Sequence, residues 1–470
     1  MRRTLATTLL APGLAVAVAG LAASGCLGQS EETSSGQNAG AKDVTLTVTA
    51  NAVAGGKNAA SAEWMDKYVI PGFVAQQRAK GVNATVKFEG NGGADEQYKT
   101  KIALDLKTGG GADIVNLDGI WVGEFADADY LRPLVEVAGP DVDKWDGWRQ
   151  IPDAVQDLGR FSDQRYAVPN GTDGRVLYFN KTLFAQAGLP ADWQPASWDE
   201  VLATAEKLRA LPGVIPIQVN GGTPMGEATT MQGVLPMLVG TGAEIYSDGK
   251  WQGATPNLTT VLQTYQRIYG GGLGDPLLQQ EAKGRDKSFQ LFSENKIGIL
   301  LESDYLWRGV LEPAKGVAKM ADRNAAVGWA KIPAFTQGGG VRGQDFVSMS
   351  GGGVTAINPH TKYPQQAWEL LQFMNSADAI KAQLAGQARI TQRKDVNSEV
   401  LSGDPLLSFI AEEVLPLTAY RPGLAQYPQV SAALQQATAD VVGGKAVADA
   451  ARAYQEALVK IVGEDRVATG

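Results

Sequence analysis

The sequence is poor in the residues that most enzymes use for nucleophilic and metal chemistry. Cys26 is the only cysteine and His360 the only histidine among 470 residues. A Ser-His-Asp triad would have to use His360, and no Gly-x-Ser-x-Gly turn accompanies it. A zinc site of histidines and cysteines is excluded, and no Gly-x-x-x-x-Gly-Lys-Ser/Thr phosphate loop occurs. These absences predict a protein that is not an enzyme and holds no cofactor and no metal.

Carboxylates are plentiful, so one class of enzyme stays open. A glycosidase needs only two carboxyl groups about 5–10 Å apart, and the chain has 50 acidic residues against 42 basic ones. A secreted glycosidase therefore remains an alternative. The resulting net charge of −8 argues against nucleic acid as a partner.

Long apolar runs are absent beyond the N-terminus. Arg2 and Arg3 make the start basic, an apolar stretch follows from Leu5 to Leu21, and small residues at 22–25 precede Cys26. This order is typical of a secretory signal peptide. The small residues before the cysteine resemble the lipobox of bacterial lipoproteins, although Ala23 replaces the usual leucine. The resemblance implies cleavage before Cys26 and a lipid anchor on its thiol; an ordinary signal peptide with an incidental cysteine is the alternative.

Small and polar residues fill the stretch from 27 to 42. Such a composition cannot bury enough apolar surface to offset the cost of ordering, so residues 26–42 are predicted to form a flexible tether. Loss of residues 1–25 removes Arg2 and Arg3 and no acid, which leaves 40 basic and 50 acidic residues and a net charge of −10. Acyl chains at Cys26 are then the expected membrane attachment.

Strand and helix patterns alternate through most of the chain, which predicts an α/β fold. The capping box that opens at Ser197 and closes at Glu200 marks the start of one helix. The predicted strands are Val44–Val48, Val82–Phe88, Asp113–Leu117, Arg175–Phe179, Val214–Val219, Ile297–Leu301, Val327–Ile332 and Gly353–Ile357. The predicted helices are 61–80 with an interruption near Pro71, Tyr98–Leu106, and stretches near 227–239, 256–270 and 281–294, with a largely helical last hundred residues.

Four segments in order resemble the extracellular solute-binding proteins of bacterial ABC importers, family 1, the maltose-binding-like class. They are Tyr98–Val115, Gln164–Pro169 with Val176–Phe184, Ser197–Val201, and Gly351–Ile357 with Ala367–Met374. One departure is Ala112, where the family more often has a proline before the aspartate. The resemblance implies an α/β, two-lobed periplasmic-binding-protein-like fold with a hinge and an interlobe ligand cleft.

The same resemblance sets the expected domain organisation. The expected divisions are a lipoprotein signal peptide at 1–25, a tether at 26–42, a first lobe mainly at 43–168, a second lobe with crossover strands at 169–395, and C-terminal helices at 396–470. A later segment is expected to return to the first lobe. Pro169 lies where the hinge is expected, and its fixed φ would stiffen one crossing strand; a strand-ending proline is the alternative.

Polar and aromatic residues that follow predicted strands are the candidate ligand contacts in the first half of the chain. Open α/β sheets bind ligands at the carboxyl ends of their strands. Asn91, Asp118, Trp121, Asn170 and Asp173 occupy such positions. The alternatives are a plain turn for Asn91, a helix N-cap for Asp118 and a surface loop for Asn170 and Asp173.

The second half of the chain supplies five more candidates. Glu227 precedes a helix, where a carboxylate also complements the helix dipole. The other four are Asp304, Trp307, Gly352 and Arg389. Trp307 resembles an aromatic residue that stacks on sugar in the family, Gly352 its Gly-Gly segment, and Arg389 a late cleft segment that here lacks its proline. Helix packing and a flexible connector are the alternatives for the tryptophan and the glycine, whereas Trp64, Trp198 and Trp368 are predicted to be core residues.

These features predict a monomeric, lipid-anchored receptor on the extracellular face of the cell membrane. It would capture a neutral carbohydrate, preferably an oligosaccharide, between its lobes and deliver it to the transmembrane permease subunits of an ABC importer. Aromatic faces with carboxylates and amides are the usual means of holding a sugar ring. A binding protein for a polyol phosphate or a peptide is the alternative outside carbohydrates.

Overall fold

Two larger sheets, of five and four strands, form the framework of the fold, and the described residues also form three smaller sheets of two or three strands. The structure, a computed structural model, describes residues 35–55, 58–93 and 95–469. The predicted signal peptide and Cys26 lie outside the described residues. The strands are β1 Asp43–Ala50, β2 Asn83–Gly90, β3 Ile114–Asp118, β4 Arg160–Phe161, β5 Gln164–Arg165, β6 Ala167–Pro169, β7 Arg175–Asn180, β8 Ile215–Gln218, β9 Tyr246–Ser247, β10 Lys250–Gln252, β11 Ile297–Ser303, β12 Val327–Ala330, β13 Ile332–Pro333, β14 Phe346–Met349, β15 Gly353–Ile357, β16 Thr418–Ala419 and β17 Val467–Ala468.

Helices separate most of the long strands, as the alternating pattern predicts. The α-helices are α1 Ala59–Trp64, α2 Ile70–Ala79, α3 Asp95–Lys107, α4 Val122–Asp127, α5 Leu134–Ala138, α6 Asp153–Gln156, α7 Lys181–Gln186, α8 Trp198–Leu208, α9 Glu227–Thr229, α10 Leu235–Gly240, α11 Pro256–Tyr265, α12 Gly284–Ser293, α13 Arg323–Ala326, α14 Pro364–Met374, α15 Ala377–Leu384, α16 Lys394–Val400, α17 Pro405–Phe409, α18 Tyr427–Val442 and α19 Val447–Val462. Short 3₁₀ and π turns adjoin several of them.

The first sheet has the strand order β2-β1-β3-β15-β6. Strand β1 pairs in parallel with both β2 and β3, whereas β15 runs antiparallel to β3 and to β6. The carboxyl ends of the three parallel strands therefore share one edge, and the start of β15 lies at that same edge because Gly353 pairs with Asp118. This edge positions the candidate site.

The second sheet has the order β12-β7-β11-β8. Strand β11 is parallel to β8 and antiparallel to β7, so Ser303 at the end of β11 lies opposite Arg175 at the start of β7. Every residue of β7 and β11 is buried. Two α/β sheets of this kind confirm the predicted two-lobed α/β fold. The predicted residue boundaries of the lobes stay predictions.

Two connections to the first sheet, here called the crossings, lie close together. Residues 170–174 join β6 of the first sheet to β7 of the second, and residues 350–352 join β14, a strand of the small sheet β13-β14-β16, to β15 of the first sheet. The two crossings are hydrogen-bonded to each other, since the Asn170 amide N–H donates to the Gly353 carbonyl at 3.0 Å and the Gly351 N–H donates to Asp173 Oδ1 at 2.7 Å. Pro169 ends β6 and pairs with Val354 next to these crossings.

Two local features differ from the sequence prediction. The chain stays helical from Ala59 to Ala79, with a π-helical stretch, Met65–Val69, directly before Pro71. Proline lacks a backbone donor, and wider hydrogen bonding in the turn before it accommodates the ring without an interruption. At the capping box, Ser197 Oγ accepts from the Glu200 N–H at 3.3 Å, but Glu200 accepts from the Ala196 N–H at 2.8 Å, one residue earlier than a standard box.

The end of the predicted tether is packed on the fold. The side chain of Gln365 donates to the Ser35 carbonyl at 3.0 Å, and that of Gln366 donates to the Asn38 carbonyl at 3.0 Å. Asn38 in turn donates to the Lys362 carbonyl at 2.9 Å, and Ala41 packs against the core. Composition alone missed this docking, because two glutamines more than 300 residues away supply the partners.

The described residues contain neither a membrane-spanning helix nor a cluster of metal-ligating side chains. Within the described ranges, no helix is both long and apolar enough to cross a membrane. The same ranges contain no group of three or more histidine, cysteine, aspartate or glutamate side chains placed to hold a metal ion.

Candidate functional site

A cavity of about 330 Å³ opens at the carboxyl edge of the first sheet. Strands β1, β2 and β3 contribute residues from their ends, and the first crossing, α1, α14 and α15 close the sides. The lining residues are Val48, Ala50, Asn51, Ala52, Asn58, Ser61, Trp64, Met65, Phe88, Asp95, Tyr98, Asn116, Leu117, Asp118, Trp121, Asn170, Gly352, Gly353, Thr355, Met374, Asn375, Ile380, Gln383 and Gln392. Four of the predicted ligand contacts are among them: Asp118, Trp121, Asn170 and Gly352.

Aromatic side chains form one part of the wall. Trp121 is 7% exposed and stacks on Phe125 at 6.5 Å between ring centroids. Its ring also lies 6.3 Å from that of Tyr98, which is itself buried. Trp64 lines the cavity as well, and its Nε1–H donates to the Ala379 carbonyl at 2.7 Å. The sequence prediction treated Trp64 as a core residue only, whereas Trp198 and Trp368 are buried as predicted.

Amides and carboxylates form the polar part of the wall. Asn170 Nδ2 donates to Thr355 Oγ1 at 2.8 Å, which fixes the amide across the two neighbouring strands β6 and β15. Asn51 Nδ2 donates to Asp95 Oδ1 at 2.8 Å. Each bond holds a side chain in place before any ligand arrives, so the polar groups are preorganised. Asn51 was not among the predicted contacts, because the predicted strand ended at Val48 whereas β1 continues to Ala50.

Asp118 caps a turn and also lines the cavity, while its contact with a ligand stays a prediction. Its Oδ1 accepts the Ile120 N–H at 3.2 Å and so caps the 3₁₀ turn that follows β3. The residue also lines the cavity. Burial raises the pKa of its carboxyl group, the Arg421 guanidinium opposes that rise, and the charges of Asp95 and Asp173 add to it.

Gly352 is required at the cavity edge by the close approach of the two crossings. A Cβ on Gly352 would stand 2.1 Å from the Gly171 carbonyl oxygen and 2.8 Å from a methyl carbon of Leu158. No other residue fits that space without a backbone shift. The interpretation of this segment as a mere flexible connector is therefore wrong.

Trp307 lies in the protein core. It is 2% exposed, its Nε1–H donates to Asp404 Oδ2 at 2.9 Å, and the guanidinium of Arg323 lies 4.1 Å from its ring centroid. These contacts occupy both the ring face and the indole donor. The predicted stacking face is thus already used inside the protein, and the helix-packing alternative describes Trp307.

The neighbouring Tyr305 presents an exposed ring instead. It is 39% exposed, directly follows β11 and Asp304, and has the Arg308 guanidinium 5.7 Å from its ring centroid. The two aromatic residues are two positions apart at the start of one helical turn, where a shift of two residues reverses the face that a side chain occupies. Periodicity predicts that one of them is exposed and does not decide which.

The two candidate carboxylates of the second lobe, Asp304 and Glu227, accept hydrogen bonds from other side chains. Asp304 is 1% exposed, and its Oδ2 accepts from Arg308 Nε at 2.8 Å. Glu227 accepts from the hydroxyls of Tyr427 at 2.5 Å and Ser431 at 2.6 Å. Arg421 Nη1 also donates to Glu227 at 3.2 Å. Neither acid lines the cavity. Both oxygens of Glu227 accept hydrogen bonds, whereas Asp304 uses Oδ2 only, and its buried Oδ1 has no partner among the described residues.

Asp173 connects the two crossings. Its Oδ1 accepts from the Gly351 N–H and from Arg175 Nη1, and its carbonyl accepts from the Ser350 hydroxyl. The adjacent Gly174 carbonyl accepts from the Asp304 N–H at 3.0 Å. Asp173 therefore holds the two crossings together and lies outside the cavity lining, and its predicted contact with a ligand at the cleft floor stays a prediction.

Asn91 and Arg389 also lie outside the cavity lining. Asn91 Oδ1 accepts from the Gly93 N–H at 2.8 Å, which is the plain turn that was the alternative for this residue. Arg389 is exposed between α15 and α16. Gln392, three residues after Arg389, does line the cavity.

A family comparison agrees with this architecture. The family model for the bacterial extracellular solute-binding proteins matches residues 56–381, more than two thirds of the sequence. The chain belongs to this family. The matched range of the solute-binding family contains nine of the ten predicted ligand contacts, and Arg389 lies beyond it.

A curated relative covers much of the same range. A protein of Brucella abortus (strain 2308), described as a binding protein, is 25% identical over 374 residues. The match spans 77% of this chain and 82% of the relative. Most of the fold of this solute-binding protein is thus shared with a relative whose description gives no ligand.

Solved structures resemble the fold at lower identity. The cyclic α-maltosyl-1,6-maltose binding protein of Arthrobacter globiformis is 20% identical, with a TM-score of 0.68 over 90% of this chain and 99% of the other. An ABC transporter solute-binding protein of Thermotoga lettingae TMO, solved with α-D-tagatose, is 24% identical with a TM-score of 0.62 over 89% and 100%. At these identities the likeness demonstrates the shared two-lobed fold of the solute-binding family.

Proposed function

We propose that this protein is the substrate-binding component of an ABC importer and captures a carbohydrate by closure of its lobes. The observation that carries the proposal is the cavity at the carboxyl edge of the first sheet. Tryptophan and tyrosine rings stand there beside preorganised amides and carboxylates, and sugars need both an apolar face and hydroxyl partners. The fold neighbours that bind a maltose-derived ring and tagatose support the same ligand class.

Closure would add the second lobe to the site. Hinge closure around a ligand is a general mode of capture in two-lobed binding proteins. We assign the second-lobe stacking face to Tyr305, because its ring is exposed and follows a strand end while that of Trp307 is enclosed. The cavity alone accommodates a small saccharide, and an oligosaccharide would extend from it across the cleft toward Tyr305.

The screen that tests this function measures melting temperature against a panel of mono- and oligosaccharides, a polyol phosphate and short peptides. A ligand that binds only the folded state raises Tm by linkage. Sugars that raise Tm support the proposal, whereas a response to the polyol phosphate or the peptides alone would replace carbohydrate as the ligand class. Release of reducing sugar by the purified protein would favour the glycosidase alternative.

Anchoring at Cys26 completes the proposal and has its own test. Cys26→Ala should move the protein from the detergent phase to the aqueous phase and leave its Tm unchanged, because Cys26 precedes the folded unit that begins near residue 33. Retention of the variant in the membrane fraction would contradict the lipid anchor. A receptor tethered in this way delivers its ligand to permease subunits in the same membrane, so deletion of the permease should abolish uptake without affecting binding.

A further inference from the structure

A further segment, besides the two crossings, contacts both lobes. Residues 420–424, here called the strap, lead from β16 toward α18 without forming helix or strand. At one end the Tyr420 ring packs against the buried cluster that contains Trp121, and its hydroxyl lies 3.0 Å from Thr172 Oγ1 on the first crossing. At the other end Leu424 packs against the core of the second sheet. The strap therefore joins the cavity wall to the second lobe.

The strap backbone touches the turn after β3, which carries Trp121. A Cβ on Gly123 would stand 2.6 Å from the Gly423 carbonyl oxygen, and a Cβ on Gly423 would stand 2.8 Å from the Gly123 nitrogen. Glycine at both positions allows this approach without a backbone shift. The Gly119 N–H of the same turn donates to the Gly352 carbonyl at 3.0 Å, so the turn is held between the strap and the second crossing. A displacement of the strap would therefore move the cavity wall.

Arg421 of the strap lies between carboxylates of the two lobes. Its side chain is 13% exposed, and its Nη1 donates to Glu227 Oε1 at 3.2 Å. Its Nη2 lies 3.6 Å from the position that a Cβ on Gly351 would occupy, on the second crossing beside the cavity wall. Burial raises the pKa of Asp118, and attraction to Arg421 is the largest effect that opposes this rise. A largely buried cation that attracts an acid in each lobe links the two acids.

Charge, more than hydrogen bonding, keeps this guanidinium in place. Nε of Arg421 is buried and has no hydrogen-bond partner among the described residues. The bond from Nη1 to Glu227 is long for a charged pair. A lysine at this position would keep the charge and lose the planar fork, whereas a methionine would keep much of the side-chain length and lose the charge. The two substitutions therefore separate the charge from the packing.

We propose that Arg421 is a positioning residue for ligand capture and acts through Asp118. Its charge orients the Asp118 carboxylate and, together with the strap, holds the turn that carries Trp121 against the cavity, while Glu227 fixes the guanidinium to the second lobe. Arg421 itself lies outside the cavity lining. This role rests on the proposed function, because it takes the first-lobe cavity as the ligand site.

Fluorine NMR measures the position of Trp121 without any ligand. In protein labelled with fluorotryptophan each tryptophan gives its own resonance, and Trp121→Phe identifies that of Trp121. Arg421→Met should shift this resonance, because the turn loses the charge that holds it, and Arg421→Lys should leave it near its wild-type position. An unshifted resonance in Arg421→Met overturns the positioning role, even if affinity falls, since the arginine would then contact the ligand directly.

Calorimetric titration measures the consequence for binding, with maltose, maltotetraose and D-tagatose as the probes. For each probe that the wild type binds, Arg421→Met should weaken affinity about tenfold, and Arg421→Lys should stay within about threefold of the wild type. Denaturant unfolding of the same samples shows that each affinity refers to folded protein. An equal loss in both variants overturns the role assigned to the charge. If the wild type binds no probe, the carbohydrate function fails on this panel, and the fluorine resonance alone decides the role of Arg421.

Glu227→Gln tests the link to the second lobe. It should weaken affinity about threefold in the wild-type background and add nothing in the Arg421→Met background, because it acts only through the arginine. Additive losses would overturn this link.

Arg342→Met is the matched control. Arg342 Nη2 donates to the Thr418 carbonyl of β16 at 2.7 Å, and Arg342 does not line the cavity. The same substitution near the same strand should leave both the affinity and the Trp121 resonance unchanged. Effects equal to those of Arg421→Met would overturn the assignment to Arg421.

Discussion

The candidate polar and aromatic residues have different environments in the two lobes. In the first lobe, Asp118 and Trp121 line an open cavity after the end of β3. In the second lobe, Asp304 and Trp307 follow β11 in an equivalent position, yet both are almost fully buried. Position after a strand end is therefore not sufficient to place a side chain in the cavity wall.

Enclosure by other side chains explains the contrast. The indole of Trp307 donates to Asp404, and Oδ2 of Asp304 accepts from Arg308, so both side chains are held inside the protein even though Asp304 Oδ1 has no partner among the described residues. In the cavity, the bonds of Asn51 and Asn170 are made to other lining residues. Those bonds orient the wall and leave its surface open to a ligand, which is the property that separates a binding wall from a structural core.

The largest expected effect comes from Trp307→Ala. Loss of a buried tryptophan costs about 3–5 kcal/mol of unfolding free energy, and here the cation–π contact with Arg323 and the bond to Asp404 are lost too. Denaturant unfolding measures this cost. Sugar affinity of the folded fraction should not change. A large loss of affinity at unchanged stability would return Trp307 to the ligand site.

Gly352→Ala is expected to cost about 1–3 kcal/mol by forcing the crossings apart. The added Cβ meets the Gly171 carbonyl at 2.1 Å, and both atoms belong to backbone segments that cannot rotate away. Gly171→Ala is the matched control, because its Cβ would have no heavy atom within 4 Å. The control should change the unfolding free energy by about 0.5 kcal/mol or less. Equal effects of the two variants would refute the close-approach argument.

Tyr305→Ala is expected to lower sugar affinity, whereas Trp307→Ala is expected to lower stability. Removal of an exposed stacking ring is expected to weaken sugar binding about tenfold, or about 1.4 kcal/mol. Because the ring is 39% exposed, the unfolding free energy should change by about 1 kcal/mol or less. Calorimetry and unfolding on the same sample separate the two quantities. Unchanged affinity for every sugar that the wild type binds would exclude Tyr305 from the site.

The sequence predicts the sheets far better than the site. The strands at Val44, Asp113, Arg175 and Ile297 are recognisable from short apolar runs, and the structure confirms each of them. Local patterns set these elements, since alternation and burial repeat within a few residues.

Site residues that adjoin a strand end were predictable for the same reason, and Asp118 and Asn170 are examples. Trp64 and Gln392 were not, because only the tertiary fold brings α1 and the segment after α15 to one cavity. Asn51 directly follows β1, but the predicted strand ended at Val48, so the same rule did not reach it. The choice between Tyr305 and Trp307 also depends on tertiary partners, since Asp404 and Arg323 are distant in sequence and enclose only the tryptophan.

The smallest expected effect concerns the stability of the ligand-free protein with Asp118→Asn. Burial raises the pKa of Asp118, so the folded state binds its proton more tightly than the unfolded state does. The stability that follows is present below the ordinary value of 3.8 and is lost as pH rises through the raised pKa. Asparagine caps a turn as well as aspartate and never ionises. At neutral pH the variant should therefore melt higher than the wild type, by no more than about 2 °C, and the difference should vanish in acid. Asp127→Asn, on an exposed carboxylate, should show no such dependence. A variant that melts lower at neutral pH would mean that attraction to Arg421 outweighs burial at this carboxyl group.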